Sequence, residues 1–308
     1  MNLYEQRSSN IARTWALVLG FLVVVIAVGY AISWYYGNPA ILIFAIVIAF
    51  ATNFYAYWAS DKLVLSLSHA RPALREEFFD FYTVTENLAI AAGLPLPKLF
   101  VIDDAAPNAF ATGRDEKHAV VCATTGLLQM MDRVEIEGVI GHELSHIKNR
   151  DMLLMTIAVV LAGFIAIVAD IFFRVSFFNG GQRDNNNGNG NAIFLVLAVV
   201  GIVLAPVAAK LIQLAVSRRR EFLADASSAL LTRYPEGLAS ALQKLGSYTA
   251  PMRSANLATA HLFISDPFGL PAHSGKKSGS GAAWIERLFS THPPIPDRIK
   301  MLLGSEAQ

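Results

Sequence analysis

Charge is what this 308-residue chain has least of. Asp, Glu, Lys and Arg together make up 16% of it, hydrophobic residues 54%, and mean hydropathy is +0.43. That is too little charge to cover a soluble globule of this size, which excludes an ordinary water-soluble domain architecture. Cysteine is nearly absent as well. The single Cys122 rules out a disulfide framework and fits a reducing compartment. Its setting in the apolar run Ala119-Val120-Val121-Cys122 reads as a buried structural thiol rather than a reactive one. A surplus of one charge sign is missing too: 25 Lys and Arg stand against 24 Asp and Glu, net +1. The basic residues gather at the flanks of apolar runs, so the balance gives no reason to expect a nucleic-acid partner.

What the chain does have is four apolar runs near the ~20 residues that cross a bilayer. They are Trp15–Tyr36, Pro39–Trp58, Met152–Phe173 with Asp170 near its end, and Ala192–Val216 with Lys210 near its end. The first run is too long, and lacks the small-residue cleavage site, to be a signal peptide; it reads as a signal-anchor. Trp34, Tyr35 and Tyr36 close the first run and Tyr55, Tyr57 and Trp58 the second, as aromatics do at a lipid interface. Arg7 and Arg13 precede the first run, Lys62, Arg71 and Arg75 follow the second, Lys148 and Arg150 precede the third, and Arg218, Arg219 and Arg220 follow the fourth. The opposite side holds only Gly37-Asn38 and a loop with Arg174 and Arg183. The positive-inside bias therefore puts both termini and both polar blocks in the cytoplasm, in a multi-pass plasma (inner) membrane protein.

The predicted organisation is a transmembrane hairpin (1–60), a polar block (61–151), a second hairpin (152–216) and a second polar block (217–308). Neither block alone is comfortably sized for an autonomous domain, so the two are expected to fold together. The expected fold class is a mostly α membrane protein: four transmembrane helices plus one cytoplasmic α+β domain with a small β-sheet. The first block predicts a helix from about Pro72 to Ala92, ended by Gly93, and strands at Lys98–Ile102, Ala109–Thr112 and His118–Ala123, the last two joined through Gly113 to Glu116. The Gly- and Asn-rich stretch 179–191 and the Gly/Ser/Lys-rich stretch 267–281 have no apolar face and predict mobile loops. No internal repeat is present beyond two hairpins that each feed a polar block.

The most specific feature is His142-Glu143-Leu144-Ser145-His146. On a helix, residues four apart share a face, so two imidazoles at this spacing grip one zinc ion, and the carboxylate beside the first polarises a zinc-bound water. Asp132 with Glu135 three residues on resembles a capping box that starts the helix, and Ile136, Val139, Ile140 and Ile147 give it a buried side. The bland alternative is an amphipathic surface helix with two solvated histidines. Catalytic zinc takes three protein ligands and leaves one place for water. Glu221 is the candidate third, with Asp225 on the same helix face able to accept a hydrogen bond from the far nitrogen of a ligand histidine. Alternatively, both carboxylates pair at the surface with Arg218 to Arg220. Topology favours the first reading. His146 stands six residues before Met152, ~9 Å along a continuous helix, and Glu221 five residues past Val216, so both segments leave the membrane on one side at similar height.

Together with Glu221-Phe222-Leu223-Ala224-Asp225, Asn108-Ala109-Phe110-Ala111-Thr112-Gly113 and Thr291-His292-Pro293-Pro294, in that relation to four spans, the chain resembles the HtpX-type heat-shock membrane metalloproteases. These are relatives of the eukaryotic prenyl-protein (CAAX) endopeptidases. The resemblance covers essentially the whole chain and implies a zincin-like domain facing the cytoplasm that cleaves membrane proteins, often damaged ones. It implies one Zn2+ per chain held by His142, His146 and Glu221, with Glu143 as general base. It implies that Asn108, Ala109 and Phe110 belong to an edge strand that holds an extended substrate by strand addition. It further implies that His292 lies near the zinc and stabilises the oxyanion, and that Arg298 positions acidic groups at the site. Plainer roles stand beside these: Asn108 caps a turn, His292 before two prolines is a rigid surface turn, and Arg298 pairs with Asp297 or Glu286.

The expected partners are a lipid bilayer and polypeptide or membrane-protein substrates. Competing functions are a prenyl-protein endopeptidase, which needs a prenylated C-terminal Cys on its substrate, and a non-catalytic scaffold or transporter. The last is disfavoured because Asp170 and Lys210, the ionisable groups inside the runs, lie near run ends.

Overall fold

The protein is described as a computed structural model covering residues 3–158, 160–165, 217–255, 259–269 and 293–304. Its first two helices, α1 (Leu3–Tyr36) and α2 (Pro39–Trp58), form a hairpin. Gly37 turns the chain at φ 61°, Asn38 caps α2 by accepting from the Ala40 N–H, and Pro39 sits at the first helical position where its missing N–H is harmless. The pair pack so closely that a Cβ on Gly29 would overlap the Ala45 side chain. Both helices are long and apolar enough to cross a membrane, over Ser8–Tyr36 and Pro39–Trp58. Large apolar side chains such as Trp15, Leu19, Phe44 and Phe54 point outward along them, as lipid-facing side chains do. The third expected span is described only as the apolar helix Asp151–Ile165. The rest of that span, including Asp170, lies outside the described residues. So do the whole fourth span with Lys210, the 179–191 stretch and most of the 267–281 stretch. Two membrane-length helices are therefore described where the sequence predicts four.

After α2 come α3 (Ser60–Leu67), β1 (Arg71–Pro72), α4 (Phe79–Ala92), β2 (Lys98–Ile102), β3 (Ala109–Thr112), β4 (Val120–Thr124), α5 (Thr125–Met130) and α6 (Arg133–Asn149). Beyond the second apolar block follow α7 (Arg218–Thr232), α8 (Pro235–Ser247) and α9 (Ile295–Leu303). The sheet runs β1-β2-β4-β3, with β2 and β4 parallel and the outer pairs antiparallel. The helix predicted from Pro72 begins only at Phe79. Arg71 and Pro72 instead pair with Val101 and Phe100 at the sheet edge, where a residue without an N–H is tolerated. Its end is as expected, at Gly93 in the left-handed conformation (φ 69°). The last strand starts two residues late because Asp115 accepts from the N–H groups of Lys117 and His118 and winds Glu116–His118 into a 3₁₀ turn. Cys122 is buried in β4, and burial pushes its thiol well above the usual range, consistent with a structural role.

α6 lies at the centre of this domain. The capping box is present: the Asp132 carboxylate accepts from the Glu135 N–H at 2.9 Å and Glu135 accepts from the Asp132 N–H at 2.9 Å. The buried Glu135 also accepts from Ser240 and Lys244 of α8, joining two helices at the cap. Val139, Ile140, Leu144 and Ile147 are buried with Leu127 of α5, Val101 and Val121 of the sheet, and Leu238 and Leu242 of α8. Glycines at 138 and 141 let neighbouring chains come close. A Cβ at Gly138 would stand 2.6 Å from the Leu238 backbone nitrogen, and one at Gly141 would stand 2.7 Å from Ser228 Oγ. Ser228 uses this approach to donate to the Gly138 carbonyl at 2.7 Å. At its far end α6 stops at Arg150, which is left-handed (φ 56°), and Asn10 of α1 donates to the Asn149 carbonyl at 3.1 Å. The helix that carries the motif is thus tied to both the membrane hairpin and the second polar block.

Candidate metal centre

His142 and His146 face one way from α6, and Glu221 meets them from the first turn of α7. The two Nε2 atoms are 3.1 Å apart, His142 Nε2 is 3.7 Å from Glu221 Oε2, and His146 Nε2 is 3.6 Å from Glu221 Oε1. A tetrahedral cation with bonds of ~2.0–2.1 Å needs donors ~3.4 Å apart. The triangle thus has the dimensions of such a site. Among the described residues these three form the group of His, Cys, Asp and Glu able to share one ion. All are buried (1%, 4% and 4% exposed), which removes the picture of two solvated histidines on a surface helix.

Each ring is held from behind. His142 Nδ1 donates to Asp225 Oδ1 at 2.9 Å, and His146 Nδ1 donates to Asp151 Oδ2 at 3.0 Å, so both rings present Nε2 to the triangle. Asp225 is gripped in turn by Arg298 through two bonds, Nε to Oδ2 at 2.9 Å and Nη2 to Oδ1 at 2.7 Å. Arg298 is thus buried on Asp225 rather than spent on Asp297. Glu286 lies outside the described residues. Arg220, immediately before Glu221, is also buried and lies within the field of Asp151 and Glu221.

The electrostatics follow from burial and neighbours. Burial lowers the proton affinity of His142, though the Asp225 bond works the other way. At His146 burial also opposes the charge, but Asp151, Glu221 and Glu143 outweigh it and raise the ring to about 10. The same negative surroundings favour a cation. Burial opposes the Asp225 charge as well, yet Arg298 and His142 hold this carboxyl at about 2. Glu143 is raised to about 8, mainly by burial and further by Glu221, against the charges of His146 and Arg298 and a hydrogen bond from the Ala111 N–H.

Asp151 was not legible from spacing. Five residues past His146 it would lie off the ligand face of a continuous helix. The left-handed turn at Arg150 swings it back beneath the ring. Asp151→Ala is expected to weaken metal binding about 10–100-fold, as loss of such a partner does. Competition against a chromogenic chelator measures this, and wild-type affinity would remove Asp151 from the site.

Asn108 does more than cap a turn. Its Nδ2 donates to the Ser265 carbonyl at 2.9 Å and its Oδ1 accepts from the Ser265 N–H at 3.2 Å. Ile264 N–H donates to the Ala109 carbonyl at 2.9 Å, and Phe110 packs edge-on against Phe263 with ring centres 5.1 Å apart. The edge expected to receive substrate therefore carries residues 263–265 of this same chain. His292 lies outside the described residues.

A buried His-His-Glu triangle with a carboxylate next to one ligand, set against a small sheet, defines the class of metal-dependent hydrolases built on a His-Glu-x-x-His helix. The pattern of peptidase family M48 matches residues 77–306. The protease HtpX homologue of Thermoanaerobacter pseudethanolicus is 45% identical over 304 residues, covering 97% of each chain. That of Pyrococcus furiosus is 45% identical over 93% of each chain, and that of Streptococcus gordonii is 40% identical over 97% of this chain and 99% of its own. The crystal structure of S. mikatae Ste24p superimposes with a TM-score of 0.49 at 18% identity, covering 97% of this chain and 67% of that one. The chain belongs to peptidase family M48, as an HtpX-type membrane metalloprotease.

Proposed function

We propose that this protein is a zinc endopeptidase with four transmembrane helices. It cleaves membrane proteins at the cytoplasmic face, and it serves membrane-protein quality control under stress. The two polar blocks, 61–151 and 217–308, form one catalytic domain between and beyond the two hairpins, 1–60 and 152–216. The observation that carries the reading is the donor triangle of His142, His146 and Glu221, whose 3.1–3.7 Å edges suit one four-coordinate ion, with Glu143 adjacent. Bound there, zinc supplies the Lewis acidity that activates water and polarises a carbonyl.

The chain's own groups do the rest. Asp225 and Asp151 keep the ring nitrogens Nε2 free to coordinate. Glu143 accepts a proton from the attacking water and passes it to the leaving amine. The outer edge of β3, from Asn108 to Phe110, aligns an extended substrate backbone, which makes sequence selectivity loose. His292 donates to the developing oxyanion.

Cleavage of a membrane-protein substrate in proteoliposomes tests the proposal. Activity should disappear with a zinc chelator and return with added zinc; chelator-resistant cleavage would refute it. Glu221→Ala is expected to lose its zinc, read as metal per chain by atomic absorption. Full occupancy in that variant would assign the third ligand elsewhere.

A further inference from the structure

The site just described is closed by its own chain. His142, Glu143, His146 and Glu221 are all at most 4% exposed. The segment that covers the β3 edge is held at four points. Ile264 N–H donates to the Ala109 carbonyl, and the Asn108 amide pairs with both backbone groups of Ser265, in the manner of a neighbouring strand. Phe263 packs on Phe110, and the Ile264 carbonyl accepts from Arg298 Nη1 at 3.2 Å. Leu262, Phe263 and Ile264 are buried. The base of this loop is fixed separately, since Met252 N–H donates to the Pro267 carbonyl at 2.8 Å and Asp104 accepts from the Arg253 N–H at 2.7 Å.

We propose that residues 259–265 form an intramolecular strap that holds the β3 edge closed at rest and is displaced when an extended polypeptide takes its place. The inference rests on the peptidase reading above and adds regulation of the same site. Strap and substrate compete for one set of partners, the Ala109 carbonyl and the Asn108 amide. An extended strand satisfies them equally well whether it comes from this chain or another. Apparent substrate affinity is then the intrinsic affinity reduced by the fraction of molecules with the strap open. Folded proteins keep most of their backbone groups paired, whereas unfolded segments leave them open to the exchange.

Ile264→Pro tests this directly. Proline has no N–H to give Ala109, and Phe263 already has the extended backbone (φ −72°, ψ 146°) that a following proline requires. Loss of that bond, with part of the buried Ile264 side chain, should raise the rate on subsaturating quenched fluorescent casein about 2- to 10-fold or more, through a lower KM with kcat little changed. An unchanged or lower rate, at wild-type metal content and melting temperature, would overturn the strap.

A second measurement does not depend on that variant folding. In the Glu143→Gln protein with casein bound, backbone amides of 259–265 should exchange faster with solvent than without casein. Equal or slower exchange refutes displacement. If the zinc-loaded wild type cleaves casein no faster than Glu143→Gln does, the peptidase reading fails, while the exchange data still decide the strap.

Discussion

Glu143→Gln should leave the metal in place and slow peptide hydrolysis by roughly 10²–10⁴-fold, the contribution of a positioned general base. Glutamine has the size of glutamate, and its amide oxygen can still accept the Ala111 N–H that Glu143 accepts now. It makes no demand on the ligand triangle, because Glu143 is not one of the three atoms that define it. What it removes is the capacity to hold a proton between water attack and departure of the amine. Zinc content by atomic absorption and single-turnover cleavage of a quenched polypeptide separate the two effects. Full activity in the variant would take Glu143 out of the chemistry; lost zinc would show that it supports the site rather than acting in it.

Arg298→Met should have the largest effect on stability. The guanidinium is entirely buried, and both of its short bonds go to the buried carboxylate of Asp225. Removing it strands that charge away from water, an error that costs about 3–5 kcal/mol. Domains of ordinary stability have only about 5–15 kcal/mol in total, so the variant should melt markedly earlier or fail to accumulate. The companion double variant Arg298→Met/Asp225→Asn discriminates the cause. With the stranded charge gone, most of the stability should return, since a buried pair replaced as a unit is often nearly neutral. Metal affinity should stay low in the double variant, because His142 then has a weaker partner on Nδ1. Equal melting of single and double variants would show that Arg298 contributes packing rather than charge.

The parts of this site that could be read in advance are those set by one helix. The Asp132–Glu135 cap, the buried side of α6 and the shared face of His142 and His146 depend on spacing within a few turns, and helical periodicity reports spacing directly. Glu221 and Asp225 were legible for the same reason, since four residues on α7 bring both carboxylates to one side. Burial and the Arg298 pairing decide against a surface role for them. What escaped was either a break in periodicity or a contact between distant segments. Asp151 reaches His146 only because Arg150 leaves the helical region of backbone space. Pro72 looked like a helix start but serves as an edge-strand residue, a role fixed by its partner Phe100. The covering of Ala109 by Ile264 joins segments whose pairing no local pattern encodes.

The bare backbone at Gly138 and Gly141 lets α6 lie close to two neighbours at once, α8 at Gly138 and α7 at Gly141. Ser228 contacts α6 at Gly138 and Gly141, while Glu221, two turns earlier on α7, reaches His146 further along α6, so the two helices run antiparallel. The separation of the two helices thus has a main-chain part, and Asp225 and Asp151 set the ring orientations within it. Calcium, which wants six to eight oxygens, finds one carboxylate and two imidazole nitrogens in the triangle. A methyl group at position 138 would meet the Leu238 backbone and push α8 away from α6, whereas one at position 141 would meet the Ser228 hydroxyl, which can turn aside.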